Sequence, residues 1–222
     1  MRQALIIGSG GHAALVIDAL KAATRPVPIR GIVDRAPGAV GTEVLGVPIL
    51  GTDKLLESLS AACDTAYIGI GATRSEGCRR RAEVFAHIRS LGYAAPVLIH
   101  PCAVVAASAE IGSGTQIFAG AVIQPRARIG CNVIINAGAL AEHDCTIGDN
   151  SCLGPGARLC GGVIVGEQTF IGAGTTVIQN IRIGPGTTVG AAAAVVDNLP
   201  GNVVAVGVPA RIRDPAGPEQ EM

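Results

Sequence analysis

The stretch IGCNVIINAGALAEHDCTIG, residues 129–148, holds the pattern that decides the fold. Ile129, Ile135 and Ile147 keep a six-residue register in which Ala141 fills the remaining place. Followed outward, the register runs back through Ile123, Ile117, Ile111, Val105 and Ile99. It runs forward through Leu153, Leu159, Val165, Ile171, Val177, Ile183, Val189 and Val195. Ala141 is its one member that is not bulky. An Ile-Gly or Val-Gly pair also returns at Ile111, Ile129, Ile147, Val165 and Ile183, and small residues such as Ala121, Ala139 and Ala157 stand two places before many register positions.

A helix at 3.6 residues per turn would smear such a column around its axis, and a flat strand would alternate at two. A coil of three short strands satisfies it: each flat face takes about six residues, and the register residue points inward at each corner to stack on its equivalents above and below. The architecture is a left-handed parallel β-helix. Roughly five to six coils at a strand spacing of about 4.8 Å make a prism on the order of 25 to 30 Å tall. One coil cannot bury its own aliphatic residues, so the array is stable only as a stack.

Composition agrees, with 2% aromatic residues, no Trp and 31 Gly. A narrow prism has little room for rings, and tight corners favour glycine. The register fills only the second half of the 222 residues, which implies two domains. We expect a Rossmann-like α/β domain over residues 1–95, an all-β left-handed β-helix over 96–213, and a polar flexible tail over 214–222. Lys plus Arg and Asp plus Glu are each 17, so no charge excess favours nucleic acid. No apolar run approaches a membrane span, and Met1-Arg2-Gln3 leads straight into a strand instead of a signal peptide; a cytoplasmic protein is expected. The seven cysteines form no C-x-x-C pair, and in a reducing compartment they read as small, semi-buried residues.

In the first domain, Gln3 to Gly8 reads as a buried strand, followed by Gly8-Ser9-Gly10-Gly11-His12 and a helix over Ala13 to Ala22. A strand, a glycine turn and a helix start place backbone N–H groups where an anion is welcome. Ile29 to Val33 is a second strand ending at Asp34, Tyr67 to Gly71 a third, and Arg74 to Leu91 a helix whose Arg79, Arg80 and Arg81 read as a solvated face. The carboxyl ends of the strands gather Gly10, Gly11, His12, Asp34 and Gly71 at one edge, the usual crevice of such sheets.

The β-helix carries two histidines. His100 precedes Pro101 at the entry to the first coil and reads as structural. His143 lies in Glu142-His143-Asp144, next to Ala141. A carboxylate that accepts the proton of one ring nitrogen fixes the tautomer and leaves the other nitrogen as a base. Adjacent side chains on a strand point to opposite faces, so Asp144 reaches the ring only at a bend, which a corner supplies. Spacing alone leaves two readings of His143 open, a general base and a solvent-exposed turn residue.

The stretch Asn136 to Cys145, with Ile147-Gly148-Asp149, Gly154-Pro155-Gly156-Ala157 and Cys160-Gly161-Gly162, closely resembles the sialic acid O-acetyltransferase type of sugar acyltransferase. That group includes the N-acetyltransferases of nucleotide-linked 4-amino-4,6-dideoxy sugars. Gly8-Ser9-Gly10-Gly11-His12-Ala13 and Val206-Gly207-Val208-Pro209-Ala210-Arg211 resemble it too, so the likeness covers nearly the whole chain. The resemblance implies that His143 is the general base, that Asp144 orients it and that Asn136 lines the same site. It implies a nucleotide sugar held by Gly10, Gly11, His12, Asp34, Arg35 and Gly71. Acetyl-CoA would lie in a groove between two subunits of a homotrimer along Gly161, Ala173 and Ala191, with Pro209 and Arg211 near the adenine; no metal is implied. Two departures stand out. Cys152 occupies a place where the family often has a second histidine near the thioester, and Arg35 follows Asp34 where an acidic pair is common.

The expected reaction is direct transfer of acetyl from acetyl-CoA to the sugar 4-amine, with O-acetylation of sialic acid or another glycan hydroxyl as the alternative. A zinc hydratase on this fold would need about three histidines between facing subunits, and the repeat has too few. A nucleotidyltransferase would need a much larger first domain. A scaffold without catalysis is the remaining non-enzyme reading.

Overall fold

The computed structural model describes residues 3–60 and 63–213; the expected tail over 214–222 lies outside them. The chain begins β1 (Ala4–Ile7), α1 (Gly11–Ala22), β2 (Ile29–Val33), β3 (Glu43–Val44), β4 (Val47–Gly51), α2 (Leu56–Leu59), β5 (Thr65–Ile68) and α3 (Ser75–Ser90). These strands form one sheet in the order β3-β4-β2-β1-β5, parallel except for the β3/β4 hairpin. β1 is wholly buried because both of its faces are covered. Ala4 and Ile6 pack with Val16, Ile17 and Leu20 of α1, while Leu5 and Ile7 pack with Leu56 and Ile88 on the other side.

From Leu98 to Val195 the chain winds through two-residue strands that pair in parallel with strands eighteen residues away, building the left-handed β-helix; Val204–Val206 extends one face and pairs antiparallel with Arg211–Arg213. Face I carries Leu98–Ile99, Gln116–Ile117, Ile134–Ile135, Cys152–Leu153, Phe170–Ile171 and Thr188–Val189. Face II carries Val104–Val105, Val122–Ile123, Leu140–Ala141, Arg158–Leu159, Thr176–Val177 and Ala194–Val195. Face III carries Glu110–Ile111, Arg128–Ile129, Thr146–Ile147, Ile164–Val165 and Arg182–Ile183.

The register residues differ in place from the sequence-based expectation. Each is the second residue of a strand, on a flat face, and the corners are made by turn pairs between strands. The second residue of such a pair has positive φ, as at Arg126, Asn132, Gly138, Asp144, Asn150, Gly156 and Gly162. Val and Ile are disfavoured there by their branched Cβ, so the aliphatic positions fall on the strands. The core they form is continuous from Ile117 to Val195. Ile99, in the first coil with no coil before it, stays 41% exposed.

Face I docks on the α/β unit. Leu98, Phe118, Ile134 and Cys152 share one buried cluster with Ile6, Val16 and Cys78. The joint is pinned by Gln116 Nε2 donating to the Ile68 carbonyl (2.9 Å), the Ser75 N–H donating to Thr188 Oγ1 (3.0 Å) and Asn132 Nδ2 donating to the Arg81 carbonyl (3.3 Å).

Candidate active site

Between the sheet's carboxyl edge and face I lies a cavity of about 570 Å³, within the usual range for a ligand site. Gly10, Gly11, His12, Asp34, Arg35, Gly71 and Asn136 all line it. The glycines fall into two classes. A Cβ at Gly8 would lie 2.5 Å from Ile70 Cγ1 and one at Gly69 would lie 2.6 Å from the Gly8 carbonyl oxygen, so these two permit close packing. A Cβ at Gly10 or Gly11 would meet nothing within 4 Å. Those two leave open space over the N-terminus of α1, where unpaired N–H groups favour an anion.

Asp34 braces that turn. One carboxylate oxygen accepts from Ser9 N and Ser9 Oγ (both 2.6 Å), the other from Ala36 N (2.8 Å). Burial pushes its pKa up, but the bonds from Ser9 and Ala36, with Arg80 nearby, outweigh that and hold the carboxyl below its ordinary range. His12 meets Gln116 Oε1 at 2.8 Å. The Ile68 carbonyl can only accept, so Gln116 turns its NH₂ to Ile68 and its Oε1 to the ring. The proton of His12 therefore sits on Nε2, and Nδ1 is left as an acceptor. Burial, reinforced by the charge of Arg81 and opposed by the Gln116 bond, lowers the pKa of His12 to about 4, so the ring is neutral.

The three arginines of α3 part ways. Arg79 pairs with Glu76 at the surface, as a solvated face would have it. Arg80 lines the cavity, and Arg81 is buried, with Nη1 donating to the Ile68 (3.2 Å) and Ile70 (2.7 Å) carbonyls. The expectation of a solvated face fails at Arg81 because that side chain turns under the sheet edge to satisfy carbonyls at the end of β5. Cys152 also lines the cavity, 2% exposed, and burial pushes its thiol pKa up.

His143 and Asp144 form a turn at the II/III corner, both exposed. The corner bends the backbone, with Asp144 at φ +62°, and brings its Oδ2 to 2.8 Å from His143 Nδ1. Glu142 accepts the His143 N–H (3.2 Å). One coil further on, a Cβ at Gly161 would lie 2.6 Å from His143 Cε1 and 2.7 Å from Nε2, so the imidazole rests in space that only glycine leaves free. Asp144 also takes two hydrogen bonds from Arg126, which hold its pKa well below the ordinary range, with the His143 bond adding to the effect.

The residues expected to bind cofactor are spread along the prism. Gly161 is at the II/III corner, whereas Ala173 and Ala191 stack at the I/II corner, joined by the Ala192 N–H donating to the Ala173 carbonyl (2.8 Å). Pro209, after a cis peptide bond, and Arg211, whose Nη1 lies 3.5 Å from Asp197, are at the C-terminal end. Within one protomer the cavity lies against face I and His143 sits on the edge opposite that face. Asn136 and Cys152 belong to the cavity side. Sequence reading assigned no site role to Ser9, Gln116, Arg80 or Arg126. Only Arg126 carried a signal, since it precedes Asp144 by one full coil.

The chain matches the family model of the PglD N-terminal domain over residues 3–85 and that of the bacterial transferase hexapeptide (six repeats) over residues 126–161. Among solved structures, a histidine-to-alanine mutant of GDP-perosamine N-acetyltransferase from Caulobacter crescentus, in complex with CoA and GDP-perosamine, is 39% identical, with 96% of this chain and 97% of that chain covered and a TM-score of 0.89. The chain belongs to the hexapeptide-repeat sugar N-acetyltransferases. The acetyltransferase domain of PglB from Neisseria gonorrhoeae, in complex with acetyl coenzyme A, is 34% identical over 96% of this chain and 99% of that one, at a TM-score of 0.86. WeeI from Acinetobacter baumannii, 24% identical, shares the fold at a TM-score of 0.83. No curated protein sequence matches. This transferase is thus an acyl-CoA-dependent sugar acyltransferase. Among its described residues no group of three or more His, Cys, Asp or Glu side chains is placed to hold a metal ion, and no helix is long and apolar enough to cross a membrane.

Proposed function

We propose that this N-acetyltransferase moves an acetyl group from acetyl-CoA to the 4-amino group of a nucleotide-linked 4-amino-4,6-dideoxy sugar, with His143 as general base. The carrying observation is the His143–Asp144 pair at 2.8 Å, its ring lodged over Gly161. Asp144 accepts a hydrogen bond from Nδ1–H, which leaves Nε2 as the free base. The amine attacks the thioester carbonyl, the N–C bond forms, its proton passes to Nε2, the C–S bond breaks and CoA thiolate leaves. A backbone N–H of the Gly161 turn is the proposed donor to the developing oxyanion.

The nucleotide belongs in the interdomain cavity, its diphosphate at the Gly10 and Gly11 amides with Arg80 nearby. A GDP-linked sugar is the first choice, because the Caulobacter relative binds GDP-perosamine. The prism stands between that cavity and His143 of the same protomer, so the reading requires the sugar held by one protomer to meet the imidazole of a neighbour. A homotrimer of three-sided prisms meets this requirement, with each CoA between Gly161 of one copy and Ala173 and Ala191 of the next. Pro209 and Arg211 would flank the adenine end. Cys152 sits on the cavity side, so in this arrangement it would face the sugar nucleotide more than the thioester.

The test is thiol release from acetyl-CoA across GDP-, UDP- and dTDP-linked 4-amino-4,6-dideoxyhexoses and free sialic acid. Turnover with one nucleotide amino sugar supports the proposal. Turnover with sialic acid alone moves the reading to O-acetylation, and none with any acceptor overturns it.

A further inference from the structure

Arg126 stands at the II/III corner one coil before Asp144, and its backbone N–H is held by Ser108 Oγ of the preceding coil (3.2 Å). Its guanidinium grips the Asp144 carboxylate with both arms. Nε donates to Oδ1 and Nη2 to Oδ2, each at 2.7 Å, and Oδ2 is the oxygen that meets His143 Nδ1. The backbone of Arg126 is itself unusual, with φ +62°. Asn132, Gly138, Asn150, Gly156 and Gly162 fill equivalent corner positions with residues that tolerate the left-handed region, while Gln168 and Ala192, like Arg126, do so without that advantage. What distinguishes Arg126 among the corner residues is the reach of its side chain to the Asp144 carboxylate one coil on.

An exposed carboxylate next to an exposed imidazole is a loose pair, free to rotate about χ1 and χ2 and to exchange its partner for water. A bidentate guanidinium removes that freedom, because a planar fork fixes both the position and the plane of the carboxylate. We propose that Arg126 is a positioning residue of this transferase, locking Asp144 so that Oδ2 holds the Nδ1 proton of His143 and Nε2 stays the acceptor. The charged groups around the ring are then Asp144, Arg126 and Glu142, and Glu142 is occupied by the backbone N–H of His143. The proposal rests on His143 as the base, but its geometry can be tested apart from turnover.

Arg126→Asn removes the fork while suiting the left-handed turn, so the corner is expected to fold; a thermal melt matching the parent checks this. Arg126→Lys restores the charge without the fork. The first readout is the ¹⁵N spectrum of the neutral His143 ring, which distinguishes the two tautomers. The parent is expected to show Nδ1–H alone, and Arg126→Asn a mixture with Nε2–H. The second readout is steady-state kinetics. Arg126→Asn should lower kcat by about 10- to 100-fold, the scale of small misplacements of a reacting group, with KM for both substrates within about twofold. Arg126→Lys should recover only part of kcat. A single Nδ1–H tautomer in Arg126→Asn, an unchanged kcat, or a rise in KM alone overturns the clamp, the last by assigning Arg126 to substrate binding. If the parent transfers no acetyl group to any acceptor, the functional reading fails while the tautomer measurement still judges the clamp.

Discussion

The β-helix and the α/β unit place their functional groups in different ways. In the β-helix each position has an equivalent one coil away, and the proposed chemistry falls where those equivalents differ. At the II/III corner Arg126, His143 and Gly161 stand in successive coils, one reaching over to Asp144, one paired with that carboxylate and one making room for the ring. The α/β unit has no repeat, and its polar groups are fixed one at a time, Asp34 by Ser9 and Ala36, His12 by Gln116 from the other domain. A repetitive scaffold therefore displays a site as an exception to its own pattern, while an irregular one reveals it only through what each side chain touches.

The sharpest way to break this contrast is His143→Asn. If the exception at the corner is the base, kcat falls by about 10² to 10⁴, the usual worth of general base catalysis, and KM for the nucleotide sugar, set in the other region, hardly moves. Normal turnover would leave the corner without a catalytic role. The α/β side offers a matching test through His12, whose proton is taken up at about 4 in the folded protein against 6.5 ordinarily. Between these values the unfolded chain binds more protons, so stability is fully present above pH 6.5 and declines as pH falls toward 4, by up to about 3 kcal/mol. Urea midpoints at pH 7.5 and 4.5 should show this loss, and His12→Gln should flatten it. An equal slope in the variant would mean that His12 is not the group being titrated.

The same contrast explains what the amino-acid sequence disclosed. The register from Ile117 to Val195 was legible because every coil repeats the demand for an inward aliphatic residue, and the His143–Asp144 pair because a corner is the place where neighbouring residues meet. The corners themselves were misplaced by a few residues, since spacing gives a period but not its phase, and the phase is set by the positive φ of residues such as Asn132 and Asp144. In the α/β unit the glycine turn and the strands β1 and β2 were readable. The β3/β4 hairpin was not, because its turn puts Leu45 at φ +48° before Gly46, a residue that does not announce a left-handed turn. Gln116 and Arg81 were beyond reach for a different reason. Their partners are backbone carbonyls at the end of β5, which leave no trace in residue type.

Gly161→Ala sharpens the corner side at a smaller scale. The new Cβ would fall within 2.7 Å of the ring, and because His143 is exposed the ring can swing outward instead of straining the coil. Stability should stay within about 0.5 kcal/mol of the parent while kcat drops about 10- to 100-fold. A variant that melts early would mean that the glycine serves the coil and not the imidazole; an unchanged kcat would mean that the ring does not rest over it during turnover.

The mildest change tests the other side of the comparison, and its sign is informative. Gly11 opens α1, and a Cβ there meets no protein atom within 4 Å. Alanine restricts the unfolded chain and suits a helix, so Gly11→Ala should leave stability unchanged or raise it by about 0.4 to 1 kcal/mol. If the open space is where a diphosphate approaches the helix amides, the same methyl stands in the ligand's path, and KM for the nucleotide sugar should rise about tenfold with kcat preserved. Stability and binding then move in opposite directions from one methyl group. That separation sets Gly11 apart from Gly8 and Gly69, where a Cβ would collide with Ile70 or the Gly8 carbonyl and the loss would appear in folding itself. A Gly11→Ala protein that is both as stable and as tightly binding as the parent would place the phosphates elsewhere in the cavity, against Arg80 and not the start of α1.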